Sequence, residues 1–330
     1  MIRLTNELQN VKTAAIAGHI RPDGDCTGSC LAVYSYILEN FPEISADVYL
    51  ERVNPNFLFL KGAKEVKTEC TEEKSYDLFI ALDASEKERL GEAVKYMDTA
   101  KRTICIDHHI TNDGFAGQNW IEAQASSTAE MVWQTMEEDL ISKETAEALY
   151  LGIIHDTGVF QYTNTSEKTM WIAGKLMAKG IDFSRIIEDT FYRKTYVQNQ
   201  VLGRALMESI LLLDGRIIVG RIRQKDMEFY GVGPADLDGI VSQLRVTEGV
   251  EVAIFLYETG TQEYKASLRS NGPVDVSAVC AYFGGGGHVK AAGCTMHGSL
   301  YDVINNLTLH IEKQLQEYEE ENGQQEQEKE

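Results

Sequence analysis

The run Arg102-Thr103-Ile104-Cys105-Ile106 is apolar and β-prone, and it ends in Asp107-His108-His109. A continuous apolar run reads as a strand buried on both faces, the kind found in parallel α/β sheets. Ligands bind at the carboxyl edge of such sheets. The pattern recurs. Thr13-Ala14-Ala15-Ile16-Ala17-Gly18-His19 reads as a first strand, followed by Ile20-Arg21-Pro22-Asp23-Gly24-Asp25, where Pro and Gly force a turn. Tyr76-Asp77-Leu78-Phe79-Ile80-Ala81-Leu82 is another apolar run, and it closes on Asp83. Coordinating side chains after each of three strands predict an α/β domain with its site at one sheet edge.

Between these strands the chain alternates as such a fold requires. A helix is expected from about Thr27 to Asn40, its apolar face set by Leu31, Tyr34, Ile37 and Leu38, and a strand near Ala46–Glu51. Ser127-Thr128-Ala129-Glu130 has the capping-box pattern and opens a helix to about Glu138. A helix from Lys143 to about Ile154 leads into His155-Asp156-Thr157-Gly158, where Gly158 suits a C-terminal turn. Asp156 is the fourth acidic candidate, and His155 reads as packing or support. Helices follow over Glu167–Lys179 and from about Phe183 to Ser209, the latter suited to an interdomain connector.

A second, smaller α/β unit is expected beyond it. Its strands are Arg216–Ile222, Val250–Tyr257 and Glu263–Arg269, with helices around Pro234–Leu244, Val274–Tyr282 and Leu300–Glu317. The expected division is a catalytic domain over residues 1–185, a helical connector over 186–210, a substrate-binding domain over 211–318 and a disordered acidic tail over 319–330.

Charge narrows the partners. The chain carries −20 over its 330 residues; seven Glu and one Lys fall between Leu315 and Glu330, leaving −14 elsewhere. Such a surface repels long polyanions, because non-specific nucleic-acid affinity comes from Lys and Arg neutralising phosphates. A nucleic-acid substrate must then be short and held locally. No apolar run approaches the ~20 residues of a membrane span, and the N-terminus lacks a signal peptide's apolar segment. A cytoplasmic protein is expected. Six cysteines without a Cys-x-x-Cys pair read as buried thiols, with Cys26 and Cys30 close enough on one helix to touch.

If His19, Asp23, Asp25, Asp83, Asp107, His108, His109 and Asp156 converge, five carboxylates crowd one pocket, and like charges that close repel or take up protons. Divalent cations resolve the conflict most simply. Oxygen ligands favour Mg²⁺ or Mn²⁺ and imidazoles draw softer metals, so a mixed set points to Mn²⁺, with Mg²⁺ as the alternative. So many donors suit two ions sharing a bridging carboxylate, the arrangement that activates water in phosphoester hydrolysis.

In the second unit, Phe283-Gly284-Gly285-Gly286-Gly287-His288-Val289-Lys290 lets backbone N–H groups turn toward an anion. His288 and Lys290 add phosphate donors. Ser267-Leu268-Arg269-Ser270-Asn271 ends a strand with a guanidinium, a hydroxyl and an amide; Arg269 can clamp a phosphate or stack on a base.

His19-x3-Asp23-x-Asp25, Asp83, Asp107-His108-His109 and Asp156 together resemble the motifs of the DHH phosphoesterase superfamily. Gly284–His288 with Arg269-Ser270-Asn271 resembles the DHH-associated type 1 domain, and the two-domain layout is similar to the nano-RNase type. That resemblance implies one Mn²⁺ on His19, Asp23 and Asp83 and another on Asp25, Asp83, His108 and Asp156. Asp107 and His109 then act as catalytic support. Arg269, Ser270, Asn271, Gly286, Gly287 and His288 would bind the nucleotide. The implied activity is hydrolysis of short RNA, pApA-like dinucleotides and the 3′-phosphate of pAp, with the second domain closing over the first and a homodimer as the assembly. A cyclic di-AMP phosphodiesterase is the nearest alternative, and a non-catalytic nucleotide-binding regulator the alternative of another class.

Overall fold

The computed structural model describes residues 2–327, and the chain divides into two units, Met1–Arg193 and Lys194–Glu330. After a one-turn helix α1 (Leu4–Glu7), the first unit runs β1 (Thr13–Ala17), α2 (Gly24–Asn40), β2 (Ser45–Tyr49), β3 (Leu78–Leu82), α3 (Val94–Thr99), β4 (Arg102–Asp107) and β5 (Gln118–Ile121). Helices α4 (Thr128–Thr135), α5 (Lys143–Asp156), α6 (Glu167–Met177) and α7 (Phe183–Ile187) follow. The five strands are all parallel, in the order β2-β1-β3-β4-β5.

Burial explains the apolar runs. Ala14, Ile16, Leu78, Ile80, Leu82, Ile104 and Ile106 pack on one face, and Ala15, Ala17, Phe79, Ala81 and Cys105 on the other. A parallel sheet covered on both sides needs apolar side chains in both directions. Strand order reverses between β1 and β3, which opens a crevice at their carboxyl ends.

Two glycines bring the helices close above that crevice. A Cβ on Gly28 of α2 would lie 2.4 Å from the Ala148 carbonyl and 2.8 Å from the Gly152 nitrogen. Bare backbone lets α2 and α5 approach there, which helps bring Asp25 and Asp156 to one end of the domain.

In the second unit, α8 (Tyr196–Met207), β6 (Ile210–Leu212), β7 (Ile217–Ile222), α9 (Gln224–Tyr230), α10 (Ile240–Arg245), β8 (Val252–Gly260) and β9 (Glu263–Ser270) come first. Then follow α11 (Val276–Tyr282), β10 (Gly286–His288), β11 (Ala291–His297) and α12 (Leu300–Gln327). The sheet order is β10-β11-β9-β8-β7-β6, antiparallel except for the β7–β8 pair. Val303, Leu307, Ile311 and Leu315 of α12 recur at helical spacing and fill the core against Ile254, Leu256 and Leu268.

Three expectations change. The single helix from Phe183 to Ser209 is broken: α7 ends in a π-turn over Glu188–Tyr192, and Thr195, capped reciprocally with Gln198, starts α8 afresh. The stretch from 319, expected to be disordered, continues as helix to Gln327. Glu and Gln are good helix formers, and the chain simply extends a helix already nucleated by packing; residues 328–330 of that expectation lie outside the described residues. At the α4 cap, Ser127 accepts from the Glu130 N–H, but the Glu130 carboxylate binds Ser126 and Thr169 rather than closing the box.

Candidate metal centre

The strand ends of β1, β3 and β4 lie side by side, so the residues that follow them meet. His19 Nε2 is 3.6 Å from Asp83 Oδ2 and 3.7 Å from Asp23 Oδ1. Across Asp83, His108 Nε2 is 3.6 Å from Asp83 Oδ1, 3.2 Å from Asp156 Oδ2 and 3.9 Å from Asp25 Oδ2. All eight residues singled out from sequence come together here. The two oxygens of Asp83 face opposite halves of the cluster.

Backbone and neighbours fix these donors. Asp83 has a left-handed φ of 55°, a conformation that Asp tolerates better than most residues and that recurs at functional sites. Thr128 Oγ donates to Asp83 Oδ1 at 2.9 Å. The Asp25 carboxylate reaches from α2 to the start of α4 and accepts from the N–H groups of Thr128 at 2.6 Å and Ala129 at 2.9 Å, helped by the positive helix end. His19 Nδ1 lies 2.8 Å from the Ile20 carbonyl, which can only accept, so the proton belongs on Nδ1 and Nε2 faces the carboxylates. Asp107, fully buried, binds His109 Nδ1 at 2.7 Å with one oxygen and accepts from Asn112 Nδ2 at 2.8 Å with the other. His109 Nδ1 is 3.7 Å from Asp83 Oδ1.

Thr128 enters the sequence reading only within a helix cap and Asn112 not at all, and only the fold shows their part in the cluster. The His155 ring stands edge-on to Phe57 and Phe191 and lies 3.1 Å from Thr190 Oγ.

Electrostatics give the same picture. Burial pushes the Asp25 carboxyl well up, and Asp83, Asp156 and Asp23 push it further. Asp156 rises to about 7, chiefly by desolvation and the Asp83 and Asp23 charges, with His108 pulling it back. His19 and His109 are both raised: burial opposes their charge, but Asp23 and Asp83 outweigh it for His19, and Asp107 and Asp83 for His109. Among the described residues the charged partners of these aspartates are imidazoles. Four carboxylates facing imidazole nitrogens at 3.2–3.9 Å are a donor set that divalent cations fit.

In the second unit, Ala291 of β11 pairs with both Arg269 and His288, so those two share one face of the sheet, about two strand spacings (~10 Å) apart. Arg269 Nη1 donates to the Leu268 carbonyl at 3.0 Å, and Ser270, nearly buried, donates to the Gly272 carbonyl at 3.2 Å. The Asn271 amide is engaged in tying β9 down: it donates to the Arg245 and Val250 carbonyls at 2.7 and 2.9 Å and accepts from Arg245 Nη1. Lys290 donates to the Gly272 carbonyl. Gly286, Gly287 and His288 are exposed along β10.

Residues 13–153 match the DHH family N-terminal domain, and residues 214–317 match the DHHA1 domain. The chain belongs to the DHH phosphoesterase family and is a hydrolytic enzyme. It is 27% identical over 312 residues, 93% of this chain and 96% of the relative, to the bifunctional oligoribonuclease and PAP phosphatase NrnA of Bacillus subtilis. To the protein of the same name from Thermus thermophilus it is 29% identical over 290 residues, 86% of this chain and 84% of that one. An exopolyphosphatase-related protein from Bacteroides fragilis shares the fold, with a TM-score of 0.85 at 24% identity over 94% of each chain. No helix among the described residues is long and apolar enough to cross a membrane.

Proposed function

We propose that this chain is a divalent-cation-dependent phosphoesterase that hydrolyses short oligoribonucleotides, pApA-like dinucleotides included, and the 3′-phosphate of pAp. One observation carries the reading: Asp83 sets one oxygen 3.6 Å from His19 Nε2 and the other 3.6 Å from His108 Nε2, as a carboxylate shared by two cations must. The names of the Bacillus and Thermus relatives support the substrate class.

In this proposal His19, Asp23 and Asp83 hold one cation, and Asp25, Asp83, His108 and Asp156 the other, with Mn²⁺ favoured by the mixed donors and Mg²⁺ the alternative. When bound, such a pair acidifies a water and offsets the phosphate's charge. The residues of the chain do the rest. Thr128, Ala129 and Asn112 lock the carboxylates, so little reorganisation is needed during reaction. His109, with Nδ1 held on Asp107, is oriented to deliver a proton to the leaving oxygen. Arg269, His288 and the backbone of Gly286 and Gly287 bind the nucleotide, while Ser270 and Asn271 anchor the strand end beside Arg269. A homodimer and a cytoplasmic location belong to the same proposal.

The test is turnover of pAp, pApA and cyclic di-AMP by chelator-treated protein, with and without added Mn²⁺. Phosphate release from pAp and mononucleotide release from pApA, both dependent on the cation, are expected. Exclusive turnover of the cyclic dinucleotide would favour that alternative. Tight nucleotide binding without any turnover, with Mn²⁺ bound, would indicate a regulator.

A further inference from the structure

The sequence contains a thiol that the proposed reaction leaves unused. Cys26 lies in the first turn of α2, fully buried, between the turn that carries Asp23 and Asp25 and the end of β1. Its Sγ, an imidazole nitrogen of His19 and an oxygen of Asp83 all lie within 4.8 Å of one another, and all three residues are buried. Donor atoms that close can meet on a single cation, since metal–nitrogen and metal–oxygen bonds are about 2.0–2.2 Å and zinc–sulfur bonds about 2.3 Å.

The position of this sulfur is built in. A Cβ on Gly18 would lie 2.2 Å from Cys26 Sγ, so the bare backbone at the end of β1 is what admits the thiol there. The Cys26 N–H donates to Asp23 Oδ1 at 3.0 Å, which ties the thiol-bearing turn to a third donor of the same half-site. Its thiol is directed at the His19 carbonyl, 3.8 Å away.

We propose that Cys26 is a fourth ligand of the half-site formed by His19, Asp23 and Asp83, and that it lets this half-site accept thiophilic borderline cations of the Zn²⁺ and Co²⁺ class beside Mn²⁺. The inference rests on the two-cation reading above. On binding, the S–H bond breaks, a metal–sulfur bond forms and the proton leaves to solvent. Sulfur favours zinc-class ions over Mn²⁺ and Mg²⁺, whereas the opposite half-site, formed by Asp25, Asp83, His108 and Asp156, offers only oxygen and nitrogen. One sulfur, one nitrogen and two carboxylates would supply four donors, the number a zinc-class ion takes.

The test is optical and needs no turnover. Metal-free full-length protein is titrated with Co²⁺, and visible ligand-field bands and the near-ultraviolet thiolate-to-cobalt band are recorded. The wild-type protein and Cys30→Ser should show both. Cys26→Ser and Cys26→Ala should keep the visible bands and lose the near-ultraviolet one. In chelator competition, Cys26→Ser should weaken Zn²⁺ binding by at least about tenfold, the lower end of what even a supporting side chain contributes, with Mn²⁺ affinity changing by much less. Visible bands without the near-ultraviolet band in the wild type would overturn the proposal and leave the two-cation reading standing. No cobalt binding at all would overturn both. Should the Cys26 variants fail to fold, the wild-type and Cys30→Ser spectra decide alone.

Discussion

Asp156→Asn tests whether the carboxylates are crowded in the metal-free protein. The Asp156 carboxyl rises from 3.8 to about 7 in the fold, so the folded chain holds that proton more tightly than the unfolded chain does. Stability from it is fully present below 3.8 and is lost as pH rises through about 7. At about 1.4 kcal/mol per pH unit the full shift would correspond to roughly 4 kcal/mol. The side chain is 29% accessible, and solvent screening reduces the figure to about 2 kcal/mol. Asparagine keeps the shape and a partner for His108 but cannot ionise. Chelator-treated Asp156→Asn should therefore be more stable than wild type at pH 8 by about 2 kcal/mol, or roughly 4–8 °C in Tm for a unit of this size. Near pH 4 the two should converge. Trp120, Trp133 and Trp171 are the three tryptophans and all lie in the first unit, so intrinsic fluorescence follows that unit alone. Added Mn²⁺ should raise the wild-type Tm more than the variant's. A stability difference that stays flat between pH 4 and 8 would refute the crowding argument.

Asp83→Ala should abolish turnover and lower bound cation while far-ultraviolet circular dichroism stays that of the wild type, since Asp83 lies at the sheet edge; near-normal turnover would remove its bridging role. Arg269→Ala should raise KM for pApA by about ten- to hundredfold, as loss of one or two charge-assisted bonds does, and metal analysis should find cation content unchanged. Gly28→Ala should lower stability by about 1–3 kcal/mol in denaturant melts, because its Cβ would meet the α5 backbone at 2.4–3.1 Å and the helices cannot part without cost.

The local code was legible where one period dominates. Leu78–Leu82 and Arg102–Asp107 are strands because apolar side chains face both ways, and Ser127 caps α4 by its own chemistry. Strand β5 went unseen because Gln118–Ile121 is short and half-polar, and β11 because Ala291-Ala292-Gly293 gives no strand pattern. A sequence shows the Asn271 amide but not the Arg245 and Val250 carbonyls it ties. The parts that Asn112 and Thr128 play are silent for the same reason: their partners are 5 and 45 residues away along the chain.

What the sequence determined by itself is the set of donors and their place at the ends of apolar strands, since both follow from neighbouring residues. Which donor stands in the middle was decided only by the tertiary structure. Strand β3 lies between β1 and β4, so Asp83 lies between His19 and His108. Adjacent strands are about 4.8 Å apart, and only that long-range pairing turns a scatter of Asp and His residues into one cluster.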